Sequence, residues 1–152
     1  RFKVIIELED YTVCDLKNIG EQFQIKSYPK DMLDNELFKT IAENSRLTPR
    51  TVIRLTEATV YFKGNIKQVL KNFNIIHKGY IEKDTKILSY LQTNPITGLQ
   101  GIASYLDTPL QNYLYEIEPY LLKTGVIVRT PRGRTISDKG RRLLKILETK
   151  KG

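Results

Sequence analysis

The sequence has a single cysteine, Cys14, and a single histidine, His77. One thiol excludes an internal disulfide, and one thiol with one imidazole excludes a Cys/His zinc cluster, so no metal site is expected. Cys14 lies among apolar and charged residues at helical spacing, which predicts a partly buried structural thiol; His77 is expected on the surface or in a linker. There is no run of about eighteen apolar residues and no charged-then-apolar leader with a small-residue cleavage site. A soluble chain in a reducing cytoplasm, with no membrane partner, is therefore expected. Because the first residue is Arg1 rather than Met, a piece of a longer protein is expected too. No internal repeat or low-complexity tract is present. A Gly-x-x-x-x-Gly-Lys-Ser/Thr loop is also absent, as is an acidic pair after an apolar strand, so this chain alone is not expected to hydrolyse ATP.

What is present is enough apolar material to fold: 40% of the 152 residues are hydrophobic, which suits one ordinary domain or two small ones. The net charge of +8 is unevenly spread. Residues 1–81 carry 13 Lys/Arg against 10 Asp/Glu, residues 82–122 carry 2 against 5, and residues 123–152 carry 10 against 2. The excess sits in the last thirty residues, a localised footprint of the kind that meets nucleic acid.

Periodicity places the elements. The β-branched run Val4-Ile5-Ile6 reads as a strand, and Thr12 with Asp15 three residues on reads as a helix N-cap. Val13, Leu16, Ile19 and Phe23 then share one helical face, and Leu33, Leu37, Phe38, Ile41 and Ala42 form a second set. Thr48-Pro49 opens a third helix through Val52, Ile53 and Leu55, and the Gly64-Asn65 turn starts a fourth over Ile66, Val69, Leu70 and Phe73. The pattern breaks at "NIIHKGY", so a boundary is placed at Lys78-Gly79, giving units 1–78 and 79–152. In the second unit Asp84 is expected to cap a helix over Ile87, Leu88 and Leu91. Another helix holds Leu99, Ile102, Ala103 and Leu106. Thr108-Pro109 opens a third, with Leu110, Leu114, Ile117 and Leu121 inward and Gly125 as its end. Val126-Ile127-Val128 and Thr135-Ile136 flank "PRGR" as a hairpin, and a last helix from Lys139 to Thr149 turns Leu143, Leu144 and Leu147 inward. The fold class predicted is mainly α: a small helical domain followed by a winged helix, three helices and a β-hairpin wing.

The wing concentrates Arg129, Arg132 and Arg134 around Pro131 and Gly133. Guanidinium groups at such a tip suit duplex phosphates or a narrow minor groove, with Thr130 and Thr135 adding hydroxyls. The helix before it presents Gln111, Asn112, Tyr113, Tyr115, Glu116 and Glu118, two acids and no cation. Backbone contact rather than base reading is the expectation.

The segment "EIEPYLLKTGVIVRTPRGR", with "DTKIL", "TGLQGIASYL", "SRLTPRTVIRL" and "RFKVIIELEDYTVCDL" upstream, resembles the C-terminal part of the RuvB family, bacterial AAA+ ATPases that drive Holliday-junction branch migration. The resemblance implies that residues 1–78 are the AAA+ small helical lid and residues 79–152 the winged-helix DNA-binding domain. It implies that Arg129, Thr130, Arg132 and Arg134 bind DNA, that Arg50 of the "TPR" element is the nucleotide sensor, and that Arg1 closes the arginine-finger segment. For the intact motor it implies ATP with Mg²⁺, a hexameric ring, the partner RuvA and double-stranded DNA at a Holliday junction. For this chain alone it implies no cofactor and a monomer. Leu47 stands where the family has Gly, and Ile53, Thr56, Glu57 and Val60 also depart from its pattern. Two other classes remain open from the residues: a winged-helix transcription regulator with a helical dimerisation domain, and a winged helix whose basic wing docks a protein.

Overall fold

The computed structural model describes residues 9–31 and 33–151; the expected strand at Val4-Ile5-Ile6 lies outside them. Its chain divides into two compact units between Val69 and Leu70. The expected boundary at Lys78-Gly79 falls within the second.

In the first unit α1 (Val13–Ser27) begins with a capping box. The Asp15 amide donates to the Thr12 hydroxyl at 3.1 Å, and the Thr12 amide donates to Asp15 Oδ2 at 2.8 Å. The buried face of α1 runs Leu16, Gly20, Gln24. Val13 is 39% exposed and Cys14 is exposed, so both expectations for them are corrected. A helix start projects its first turn beyond its neighbours, and burial begins only one turn in. A Cβ on Gly20 would lie 3.1 Å from Val52 Cγ1, which is how closely α1 meets α3 (Pro49–Tyr61). Helix α2 (Asn35–Glu43), capped by Asp34, packs Phe38, Ile41 and Ala42 beside them. Helix α4 (Ile66–Asn72) follows, with Val69 buried.

The second unit opens with a hairpin that the sequence pattern did not announce, β1 (Ile75–His77) and β2 (Tyr80–Ile81), antiparallel. Lys78 and Gly79 both have positive φ, 46° and 80°. Two left-handed residues make the tight turn whose twist matches paired strands, so a hairpin lies where the periodicity breaks.

Helix α5 (Glu82–Thr93) starts two residues before Asp84. Asp84 is thus in its first turn, not at its cap, and accepts the Ile81 amide at 2.7 Å. Helix α6 (Leu99–Tyr105) comes next. The third helix is interrupted: α7 (Leu110–Asn112) passes through one π-turn (Tyr113–Ile117) into α8 (Glu118–Lys123). The cause is Pro119, which has no N–H and whose ring would strike the carbonyl four residues back. In the widened turn the Glu118 amide reaches Tyr113 O. Tyr113, Ile117 and Leu121 fill the core, while Leu110 and Leu114 are only half-buried.

Strands β3 (Ile127–Thr130) and β4 (Gly133–Ile136) pair antiparallel around Pro131-Arg132, and α9 (Asp138–Lys151) closes the unit with Leu143, Leu144 and Leu147 inward. Thr97, between α5 and α6, bridges β4 as a one-residue third strand: its N–H and C=O both bond Arg134, at 3.0 and 2.8 Å. Three helices, a short third strand and a hairpin make the mainly helical winged-helix architecture. No helix among the described residues is long and apolar enough to cross a membrane.

Candidate nucleic-acid interface

Register places the arginines. Arg129 pairs with Arg134 across the hairpin and Thr130 with Gly133, leaving Pro131 and Arg132 as the two-residue tip. Two like charges directly opposite destabilise a hairpin unless something lies between them. Here it is Glu118, delivered from below by the first turn of α8.

Arg134 donates from Nε to Glu118 Oε2 and from Nη2 to Oε1, both at 2.9 Å. Arg129 Nη2 lies 3.5 Å from the same Oε1. The side chains of Glu118, Arg134 and Arg129 are 1%, 11% and 67% exposed, so one carboxylate is sealed beneath a buried guanidinium with a solvated one at its edge. Burial pushes the Glu118 carboxyl up, but the two bonds from Arg134, the neighbouring Tyr113 hydroxyl and the charges of both arginines outweigh it and hold it below the usual range. Burial and that same carboxylate push the Tyr113 hydroxyl up, keeping it neutral.

The four expected wing contacts therefore divide by geometry. Arg132 sits exposed at the tip and Arg129 beside it. Thr130 donates its hydroxyl to Gly133 O at 3.1 Å, closing the turn. Arg134 faces inward. Glu118 and Tyr113, expected on the open face of the preceding helix, are instead 1% and 0% exposed. What that face presents is Gln111, Asn112, Tyr115 and Glu116, one acid rather than two. Burial of Glu118 had no signal in the local pattern, since its partner comes sixteen residues later.

The tip is also locked at its back. A Cβ on Gly133 would lie 2.3 Å from Thr97 O, so only hydrogen allows β4 to seat against Thr97. Further cations follow on α9, where Lys139, Arg142 and Lys145 are exposed and Arg141 pairs with Asp138 at 3.1 Å.

Arg50 belongs to the first unit. It occupies the second position of α3, exposed, after Thr48 at the N-cap and Pro49. The Thr48 hydroxyl bonds Ser45 O and Thr51 Oγ1 instead of an amide of α3. Just before it Arg46 and Leu47 both have positive φ, 54° and 57°, a conformation costly for leucine. Arg1 lies outside the described residues. Among those residues no three His, Cys, Asp or Glu gather as a metal site.

Known proteins match this arrangement. The model of the RuvB C-terminal winged helix domain family matches residues 76–145. The Holliday junction branch migration complex subunit RuvB of Thermotoga maritima is 35% identical over 159 residues, covering 95% of this chain and 47% of its own length. That of Prochlorococcus marinus (strain MIT 9312) is 34% identical over 158 residues, covering 95% and 44%. The solved Thermotoga maritima RuvB Holliday junction branch migration motor superposes with a TM-score of 0.79 at 32% identity, over 95% of this chain and 52% of that one. The chain spans about half the length of the curated relatives it matches.

Proposed function

The chain belongs to the RuvB family, and from that premise we propose that its second unit holds duplex DNA by the backbone, as the C-terminal part of an ATP-driven branch-migration motor. The observation that carries this is the division of the wing: Arg132 and Arg129 project from a hairpin whose base is clamped by Arg134–Glu118 and by Thr97. A fixed hairpin holds its two exposed guanidiniums at a set separation, which suits phosphates spaced along a backbone. The neighbouring helix face supplies no cation to draw it onto the phosphates, so the grip rests on the wing, and a motor must grip every sequence it moves. Thr130 Oγ, already donating to Gly133 O, serves the turn and can accept but not donate a further bond. Arg134 contributes by holding the wing rather than by touching phosphate.

The helices of the first unit would act as the lid over a nucleotide bound by the rest of the motor, and Arg50 as its sensor. The residues present fit an anion there: Arg50 stands at the positive end of α3, whose first-turn amides Thr48 leaves to others. ATP with Mg²⁺ would supply the phosphoryl-transfer energy, while Arg50 would supply fixed positive charge near its outer phosphates. Arg1 would close the finger segment reaching a neighbouring subunit. The intact protein would work in the bacterial cytoplasm as a hexameric ring with RuvA on a Holliday junction; the chain alone would be a monomer.

The test is fluorescence anisotropy of the chain with two unrelated duplexes and a four-way junction across a salt series. Similar weak affinities are expected, with the slope of log K against log salt falling by about two in Arg129→Ala/Arg132→Ala, roughly one per phosphate contact. Tight binding to one duplex alone would replace this function with that of a transcription regulator. Binding indifferent to salt would remove the wing from DNA altogether.

A further inference from the structure

The second unit has a concave surface that the wing does not use. Between the β1–β2 turn, the end of α8 and one face of α9 lies a groove of about 530 Å³. Its floor is apolar: Tyr80 and Tyr120 meet at 5.0 Å between ring centres, flanked by Leu143 and by Ile146, which is 44% exposed. The floor is also rigid, because Tyr120 Oη donates to Lys78 O at 2.7 Å and ties α8 to the hairpin turn.

Its rim is of one sign. Lys78, Lys139 and Arg142 line it with His77, and no carboxylate does. Two other basic residues of α9 are matched: Arg141 pairs with Asp138 and Lys151 with Glu82, at 3.1 and 3.0 Å. Among the described residues, Lys78, Lys139 and Arg142 have no such partner. Partial burial, then the charges of Lys150 and Lys78, lower the proton affinity of His77 beside them.

Unmatched cations around an apolar floor on which Ile146 is exposed and Tyr120 half-buried call for an occupant with both characters. Duplex DNA brings phosphates but its backbone offers nothing to cover Ile146 or the tyrosine pair. We infer that this groove docks a short acidic peptide segment of a partner protein, seating an aromatic or aliphatic side chain on Tyr80, Tyr120 and Ile146 and placing carboxylates on Lys139, Arg142 and Lys78. Anchors in a dry pocket give affinity and the charged rim gives orientation and rate.

The probe is a fluorescein-labelled heptapeptide, Asp-Glu-Asp-Phe-Leu-Asp-Glu, titrated with the whole chain and compared with the same peptide carrying Ser-Ser in place of Phe-Leu. The Phe-Leu peptide is expected to bind at least about tenfold tighter, since burying one apolar side chain is worth more than a tenfold change. Ile146→Ser is expected to erase that preference, and Arg142→Glu to weaken the Phe-Leu peptide about tenfold, with both variants folded by circular dichroism. Equal binding of the two peptides would overturn the inference, leaving only a charged surface. So would displacement of the Phe-Leu peptide by an unlabelled duplex together with weaker duplex binding in Arg142→Glu, which would make the groove part of the DNA path. Failure of the wing as a DNA contact would show in Arg129→Ala/Arg132→Ala and leave the peptide preference intact, so the two ideas fail separately.

Discussion

Arg134 and Glu118 form a two-bond ion pair, Nε to Oε2 and Nη2 to Oε1 at 2.9 Å each, with side chains 11% and 1% exposed. It joins β4 to the first turn of α8, and its removal from one side would strand a charge in the interior.

Arg134→Ala is therefore expected to cost about 3 kcal/mol, the usual loss on orphaning one member of a buried pair, tempered by Arg129 at 3.5 Å. Arg132→Ala, at the solvated tip, is expected to cost less than about 0.5 kcal/mol. Urea denaturation of both, with Glu118→Ala and the double substitution, closes a cycle. A coupling below about 0.5 kcal/mol would show the pair to be incidental.

The same pair sets a pH dependence. The folded Glu118 carboxyl titrates below its unfolded value of about 4.3 despite its burial, because Arg134, Tyr113 and Arg129 favour the charged form. Its stabilisation is thus fully present above that unfolded value and fades as pH falls through the lower, folded one. Urea midpoints of wild type and Glu118→Gln should differ clearly at pH 7 and converge on acidification towards pH 3. A gap that persists undiminished at low pH would contradict this.

Gly133→Ala should unseat the wing, since the new Cβ would lie 2.3 Å from Thr97 O, a backbone atom that cannot swing away. Overpacking of this kind costs about 1–3 kcal/mol. Gly98→Ala, one residue from that contact, meets nothing within 4 Å and should be close to neutral. Amide exchange at Arg134 should accelerate in the first variant alone. Equal protection in both would place the seating of β4 elsewhere.

Lys78→Asn should raise stability by about 0.5–1 kcal/mol, because Lys78 holds φ 46° in a turn that favours Asn before Gly. A thermal midpoint unchanged or lowered would mean that the Lys78 side chain contributes more than its backbone strain costs.

Much of this architecture was legible because it is local. Thr12 and Asp15 satisfy each other within one turn, Pro49 starts α3 where its missing N–H goes unnoticed, and the alternating, Gly-punctuated run around Pro131 could only be a hairpin. Thr97 was not legible as a strand: a single bridging residue has no period. The hairpin around Lys78-Gly79 was not legible either: its strands are three and two residues long, too short for alternation to show. Pro119 stood in plain view within the third helix, yet whether the chain breaks, kinks or widens around it depends on what the following residues pack against.

By itself the sequence determined that helices form and which segments they occupy, which stripes are apolar, and that positive charge gathers near the C-terminus, since each follows from neighbours a few residues apart. Tertiary structure alone decided which charges are available. Arg129, Arg132 and Arg134 are the same side chain in one short stretch, and only the arrival of Glu118 beneath the hairpin separates the guanidinium that builds the wing from those it presents. That separation is made by distance and burial, which reduce the screening between charges, and neither is a property of residues read along the chain.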